Sequence, residues 1–166
     1  MARTHTVIAS PVGDLLAVAE DGVLCGLYFE KHLRGPEPEE WGTRGDADFT
    51  EVRRQLGEYF AGERTGFDLP LAPRGNEFQQ RVWHLLTQIP FGETRSYGDL
   101  ARQLGDVSLA QAVGSANARN PISVIVPCHR VVGADGGLTG YAGGLERKRF
   151  LLDLEEPAAR KAARLF

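Results

Sequence analysis

Apolar residues in the N-terminal stretch of the chain come in short runs, HTVIAS, GDLLAVAE and GVLCGLYFE, separated by the turn signals PVG and EDG. Runs of this length, bounded by Gly, Pro and Asp, predict three strands of an antiparallel meander. The following LRGPEPEEWGTRGDAD is polar and rich in Gly, Pro and Glu, and predicts a loop over residues 31–48. From Phe49 the apolar positions 49, 52, 56, 59 and 60 return to one helix face, which stops near Gly62. FDLPLAPRG reads as an extended connector, with a domain boundary at Gly75 separating 1–75 from 76–166.

Beyond that boundary the period is helical. Asn76 caps a stripe of Phe78, Val82, Leu85, Leu86 and Ile89 that ends at PFGE. Ser96, with Asp99 three residues on, opens SYGDLARQLG in the manner of a capping box. Gly105 closes that helix. Ser108 is the expected cap of LAQAVGSANARN, which Pro121 stops. Two short helices joined by a tight turn make a helix-turn-helix, the second being the recognition helix. Its small residues, Ala110, Ala112, Gly114, Ser115, Ala116 and Ala118, fit either a nucleic-acid groove or close packing on a neighbouring helix.

Composition adds bounds. The 166 residues are 42% apolar and 25% charged, enough for a core and too mixed for a bilayer span. The N-terminal segment lacks the long apolar stretch of a signal peptide, so a cytoplasmic protein is expected. Two cysteines and scattered histidines at 5, 32, 84 and 129 give neither a disulfide framework nor metal-ligand spacing, so no metal is expected. Net charge is −3 overall, yet residues 1–74 hold 8 Lys/Arg against 13 Asp/Glu while 75–166 hold 11 against 9. An anionic partner, if the chain has one, meets the second half.

Cys25, inside GVLCGLYF, is a small core hydrophobe. Cys128 is different. The run NPISVIVPCHRVVG predicts a buried strand, Ile122 to Val126, that ends on a thiol, an imidazole and a guanidinium. His129 and Arg130 are groups that lower a neighbouring thiol's pKa, and the thiolate is the reactive form. Adjacent strand residues, however, point to opposite faces.

NPISVIVPCHRVVG, the helix-turn-helix before it and LTGYAGGLERKRFLLDLE after it resemble the O6-alkylguanine-DNA alkyltransferase family, closely over 76–156 and loosely in SPVGDLLAV and LGEYFAG. The resemblance implies an α+β protein: an RNase H-like antiparallel sheet with a helix, then a mostly helical, winged helix-turn-helix DNA-binding domain. It implies direct reversal of damage, with an alkyl group on guanine O6 passing irreversibly to Cys128 in a single turnover. O4-alkylthymine is a second candidate substrate. His129 is then the general base acting through a water, Glu155 orients the imidazole, and Tyr97 gives a hydrogen bond to the leaving O6. Asn120 braces the turn before the nucleophile, Tyr141 walls the base pocket, backbone near Cys128 and Val131 reads guanine, and Arg130 ties down neighbouring chain. Gln111, Ala112, Gly114 and Ser115 of the recognition helix, with Ala142 and Gly143 beside the pocket tyrosine, complete the expected DNA and substrate contacts. The expected partner is alkylated double-stranded DNA entered from the minor groove with the base flipped out; no cofactor is needed. A monomer in solution is expected, with clustering on DNA left open.

Two positions depart from the family pattern: Gln111 replaces an arginine that fills the vacated stack, and Ala142 replaces a serine of some relatives. Competing readings are a non-catalytic lesion-recognition module, against which Cys128 argues, a DNA-binding regulator, against which the scarcity of base-reading side chains argues, and a cysteine hydrolase, which needs an oxyanion hole.

Overall fold

A computed structural model describes residues 2–30 and 35–163. The predicted meander forms: β1 (Arg3–Ile8), β2 (Leu15–Glu20) and β3 (Val23–Phe29) pair antiparallel. The segment expected as a loop adds a short β4 (Thr43–Arg44) parallel to β1, flanked by 3-10 turns at Pro38–Glu40 and Ala47–Phe49. Residues 31–34 of that expected loop lie outside the described residues. The sheet order is β3-β2-β1-β4. Alternation places Leu15, Ala17, Leu27 and Phe29 inside, and a register shift between Val18 and Ala19 accompanies the burial of Leu24 with them. Helix α1 (Thr50–Phe60) joins them in the core through Val52, Leu56 and Tyr59 and ends before Gly62, whose φ of +80° suits glycine.

The second half opens on α2 (Glu77–Thr87), where Asn76 and Gln79 exchange capping hydrogen bonds of 2.8 and 2.9 Å. β5 (Arg95–Ser96) leads into α3 (Tyr97–Gln103), and Ser96 and Asp99 form the same reciprocal box. α4 (Ala110–Ala118) is entered through a 3-10 turn, and here one expected cap moves. Asp106, not Ser108, is the capping residue: its extended backbone aims the carboxylate at the Ser108 N–H, 2.9 Å away. Ser108 then lies inside the turn. Two-residue β6 (Val131–Val132) pairs parallel with β5, and α5 (Leu145–Glu155) and α6 (Ala158–Ala163) complete the described residues. Among the described residues no helix is long and apolar enough to cross a membrane.

One expected strand is absent. Residues 122–126 are β-branched and apolar except for Ser123, yet they form a tight turn in which Val124 adopts φ +73°. That left-handed conformation is an outlier for a β-branched residue, worth about 1–3 kcal/mol of strain. Two sets of hydrogen bonds enforce it. Asn120 Nδ2 donates to the Val126 carbonyl at 2.8 Å, and the Ile122 N–H donates to Asn120 Oδ1 at 3.0 Å. From the other side β3 grips the turn, with the Leu27 N–H on the Pro121 carbonyl and the Ser123 N–H on the Leu27 carbonyl. Run composition recorded burial correctly, since Ile122, Val124 and Val126 are all buried, but the fixed turn overrode strand propensity.

Candidate functional site

The turn delivers Cys128, His129 and Arg130 as a buried 3-10 turn between Pro127 and β6. A 3-10 turn, unlike a strand, separates successive side chains by about a third of a revolution. Neighbours in sequence therefore reach different partners. His129 Nε2 lies 2.7 Å from Glu155 Oε2. Arg130 makes a two-pronged pair with the same carboxylate, Nε to Oε1 at 2.7 Å and Nη2 to Oε2 at 3.0 Å, while Nη1 donates to the Ile89 carbonyl. The Tyr59 hydroxyl of α1 donates to Glu155 Oε2 at 2.5 Å. Glu155 is the last residue of α5, where a negative charge meets the negative end of the helix dipole. Burial also opposes its charge, yet the bonds from His129 and Arg130 hold its carboxyl down at about 2.

An ionised carboxylate only accepts, so Nε2 of His129 carries the hydrogen and Nδ1 carries the lone pair. Nδ1 is buried and makes no hydrogen bond among the described residues. Burial lowers the pKa of His129 below its usual 6.5 despite the carboxylate, keeping the imidazole a neutral base.

The Cys128 thiol is 4% exposed. Burial pushes its pKa up, and the groups that pull it down are Asn120, Tyr141 and the ammonium of Lys148. This corrects the expectation that His129 and Arg130 lower it: Arg130 spends its charge on Glu155, and His129 is neutral. Tyr141, buried beside the thiol, has its own hydroxyl held well above 10 by burial and by the nearby sulfur. Its hydroxyl completes no hydrogen bond of good geometry among the described residues.

Helix α4 connects this centre to the surface. Its inner side, Val113, Ala116 and Asn117, is buried; Asn117 Nδ2 donates to the Cys128 carbonyl at 3.3 Å, and the Trp83 indole N–H donates to the Ala116 carbonyl at 2.8 Å. Its outer side leaves Gln111, Ala112, Ser115 and Arg119 exposed. The stripe of small residues is split, Ala116 packing inward and Ala112 and Ser115 facing out. Gly114 faces the ring of Tyr97, at the first turn of α3.

Residues 77–157 match the family model for the 6-O-methylguanine DNA methyltransferase DNA binding domain, and residues 4–73 match that for its ribonuclease-like domain. The methylated-DNA–protein-cysteine methyltransferase of Methanosarcina acetivorans is 49% identical over 91% of this chain and 97% of its own length. The chain belongs to the 6-O-methylguanine DNA methyltransferase family. The protein of the same description from Mycolicibacterium paratuberculosis is 48% identical, covering 98% of each chain. Among solved structures, Mycobacterium tuberculosis OGT in complex with DNA superposes with a TM-score of 0.87 at 50% identity, covering 92% of each chain.

In this family member the structure draws Cys128, His129, Arg130, Glu155, Asn120 and Tyr141 into one buried centre. Val131 is buried in the β5–β6 pair next to it. Gln111, Ala112 and Ser115 stand apart on the open side of α4. Ala142 is half-buried, and Gly143 lies under Phe29, where a Cβ would come within 2.3 Å of the ring. Three residues escaped sequence reasoning: Tyr59, Lys148 and Asn117. Lys148 is fully buried, with Nζ donating to the Thr139 carbonyl at 3.3 Å. Its position inside the helical run LERKRFLLDLE reads as solvated surface; only burial marks it. Tyr59 lay on the predicted apolar face, but nothing local announced that its hydroxyl meets Glu155, 96 residues away.

Proposed function

We propose that the protein repairs alkylated duplex DNA by moving the alkyl group from guanine O6 to Sγ of Cys128. The observation that carries this reading is the buried array of thiol, neutral imidazole with a free Nδ1, and carboxylate, set behind a helix whose other side is open. The thiol proton passes through a water to Nδ1 of His129, while Glu155 holds Nε2–H and stabilises the imidazolium that forms. Sγ attacks the alkyl carbon in line; the S–C bond forms as the C–O6 bond breaks, and the electron pair stays on guanine. Tyr97 donates a hydrogen bond to O6, and the released base takes up one proton for the one lost by the thiol. A burial-raised thiol pKa fits a nucleophile that ionises when its proton has somewhere to go, rather than one charged at rest.

The product is a thioether, which has no easy route back, so each molecule acts once. No cofactor enters, because the substrate brings the leaving group and the protein the acceptor. The unit 1–75 acts as scaffold and 76–166 as DNA-binding acceptor. The protein works as a cytoplasmic monomer that enters the minor groove and takes the target base out of the stack. Incubation with an oligonucleotide carrying a labelled O6-methylguanine tests the reaction: one label per protein molecule is expected, and label remaining on DNA or turnover beyond one equivalent would overturn it.

Gln111 tunes the DNA step. Flipping a base costs a few kcal/mol, which a side chain entering the vacated space partly offsets. Glutamine is neutral and stacks poorly; arginine is planar, cationic and stacks. Gln111→Arg is expected to tighten DNA binding and to steepen log K against log salt by about 0.9, the yield of one more phosphate contact. Filter binding across a salt series checks it. An unchanged slope would mean that position 111 does not meet DNA.

A further inference from the structure

The hydroxyls of Tyr97 and Thr139 lie 2.6 Å apart, a bond that joins the first turn of α3 to the loop ahead of Tyr141. Either oxygen is able to donate. Thr139 is held at its other end, since its carbonyl accepts from Nζ of Lys148, the buried cation that acts on the Cys128 thiol. Thr139 therefore stands between the nucleophile's electrostatic surroundings and the tyrosine that faces the leaving group, a place the reaction as described leaves unused.

We propose that Thr139 is a positioning residue for the leaving-group step: its hydroxyl donates to Tyr97 Oη, and this turns the Tyr97 hydrogen toward O6. The proposal rests on the reading of Tyr97 as the O6 donor. A phenol has one hydrogen. If Tyr97 gave it to Thr139, nothing would remain for O6; if Tyr97 accepts from Thr139, its hydrogen is free and its O–H is polarised by the bond it receives. The threonine is suited to that direction. With its backbone carbonyl pinned by Lys148, its hydroxyl stays within reach of Tyr97 while the hydrogen rotates. The chain Thr139–Tyr97–O6 then stabilises charge as it develops on guanine, where a fixed donor is worth most. Gly114 of α4 lies behind the Tyr97 ring, where an added Cβ would make ordinary van der Waals contact at 3.6 Å.

Single-turnover transfer rates at saturating protein separate the possibilities, using Thr139→Val, Thr139→Ser, Tyr97→Phe and Thr139→Val combined with Tyr97→Phe. Valine keeps the shape and removes the hydroxyl. Loss of one hydrogen bond of ordinary net worth is expected to slow transfer about 3- to 10-fold. Serine restores the hydroxyl and is expected to restore the rate to within about twofold, well inside that range. In the Tyr97→Phe background Thr139→Val is expected to slow transfer no further, because there is no longer an oxygen to orient. DNA affinity is expected to be the same for Thr139→Val and wild type. Equal slowing by valine in both backgrounds, or a serine variant as slow as valine, would overturn the role of Thr139 while leaving Tyr97 as donor. A Tyr97→Phe protein at the wild-type rate would instead remove the donor itself, and with it this proposal.

Discussion

Replacing Cys128 by serine is expected to abolish alkyl transfer while leaving DNA binding within about twofold of wild type, well under the cost of a single lost contact. The change is nearly isosteric at a site that is 4% exposed, so the fold has little reason to shift. The chemistry has every reason to. A serine hydroxyl is far less acidic than a thiol and a much poorer nucleophile toward an alkyl carbon, and burial raises the cost of its anion further. The residues proposed to meet DNA, Gln111, Ala112 and Ser115, are exposed on the open side of α4, away from the buried thiol. A gel-shift titration paired with a transfer assay separates the two. A serine variant that transfers at a rate comparable to wild type would take the nucleophile's role away from Cys128.

Glu155→Gln is expected to damage both activity and stability. Three groups converge on this carboxylate: the His129 imidazole, the Arg130 guanidinium and the Tyr59 hydroxyl. An amide has one acceptor oxygen and cannot neutralise Arg130. A buried cation left without its partner costs about 3–5 kcal/mol. Loss of the anion also removes what fixes the imidazole tautomer and stabilises the imidazolium, so transfer is expected to slow on the order of 10²-fold or more. The pH dependence follows from the same group. Its folded value, about 2, lies below the ordinary 4.5, so its contribution to stability is present above about pH 4.5 and is lost as pH falls toward 2. His129 acts in the same direction. Its folded pKa is depressed below 6.5, so its share is complete above that pH and declines below it as the unfolded chain takes up a proton. Denaturant unfolding across that pH range is expected to show wild-type stability falling steeply below pH 4.5 and the glutamine variant falling less. Parallel curves would show that Glu155 is not ionised in the folded protein.

Much of this was legible because its determinants are local. Asn76 with Gln79 and Ser96 with Asp99 are three residues apart, so the sequence carries the whole of each capping box. The neighbouring pair Asp106 and Ser108 shows the limit, since both are able to cap and only the backbone entering α4 decides between them. The Ile122–Val126 run was legible as buried but not as a turn. What bends it is the Asn120 amide together with the edge of β3, and β3 lies about a hundred positions earlier in the chain. Cys128, His129 and Glu155 were singled out through family resemblance, not spacing, because a separation of 26 positions between His129 and Glu155 carries no geometric signal of a hydrogen bond. Adjacency misled in one respect: Arg130 stands two residues from Cys128, yet its charge goes to Glu155, and the cation that serves the thiol is Lys148.

Cys25 supplies the control for the central claim. It is a second buried, reduced thiol in the same molecule, on β3, with its pKa likewise raised by burial. The charged groups that act on it are Arg3, Glu20 and Arg74, with no imidazole among them. The decisive measurement is peptide mapping by mass spectrometry after reaction with duplex DNA containing one O6-methylguanine. One methyl on the peptide carrying Cys128 and none on the peptide carrying Cys25 is the predicted result; a methyl on Cys25, on both, or on neither would contradict it.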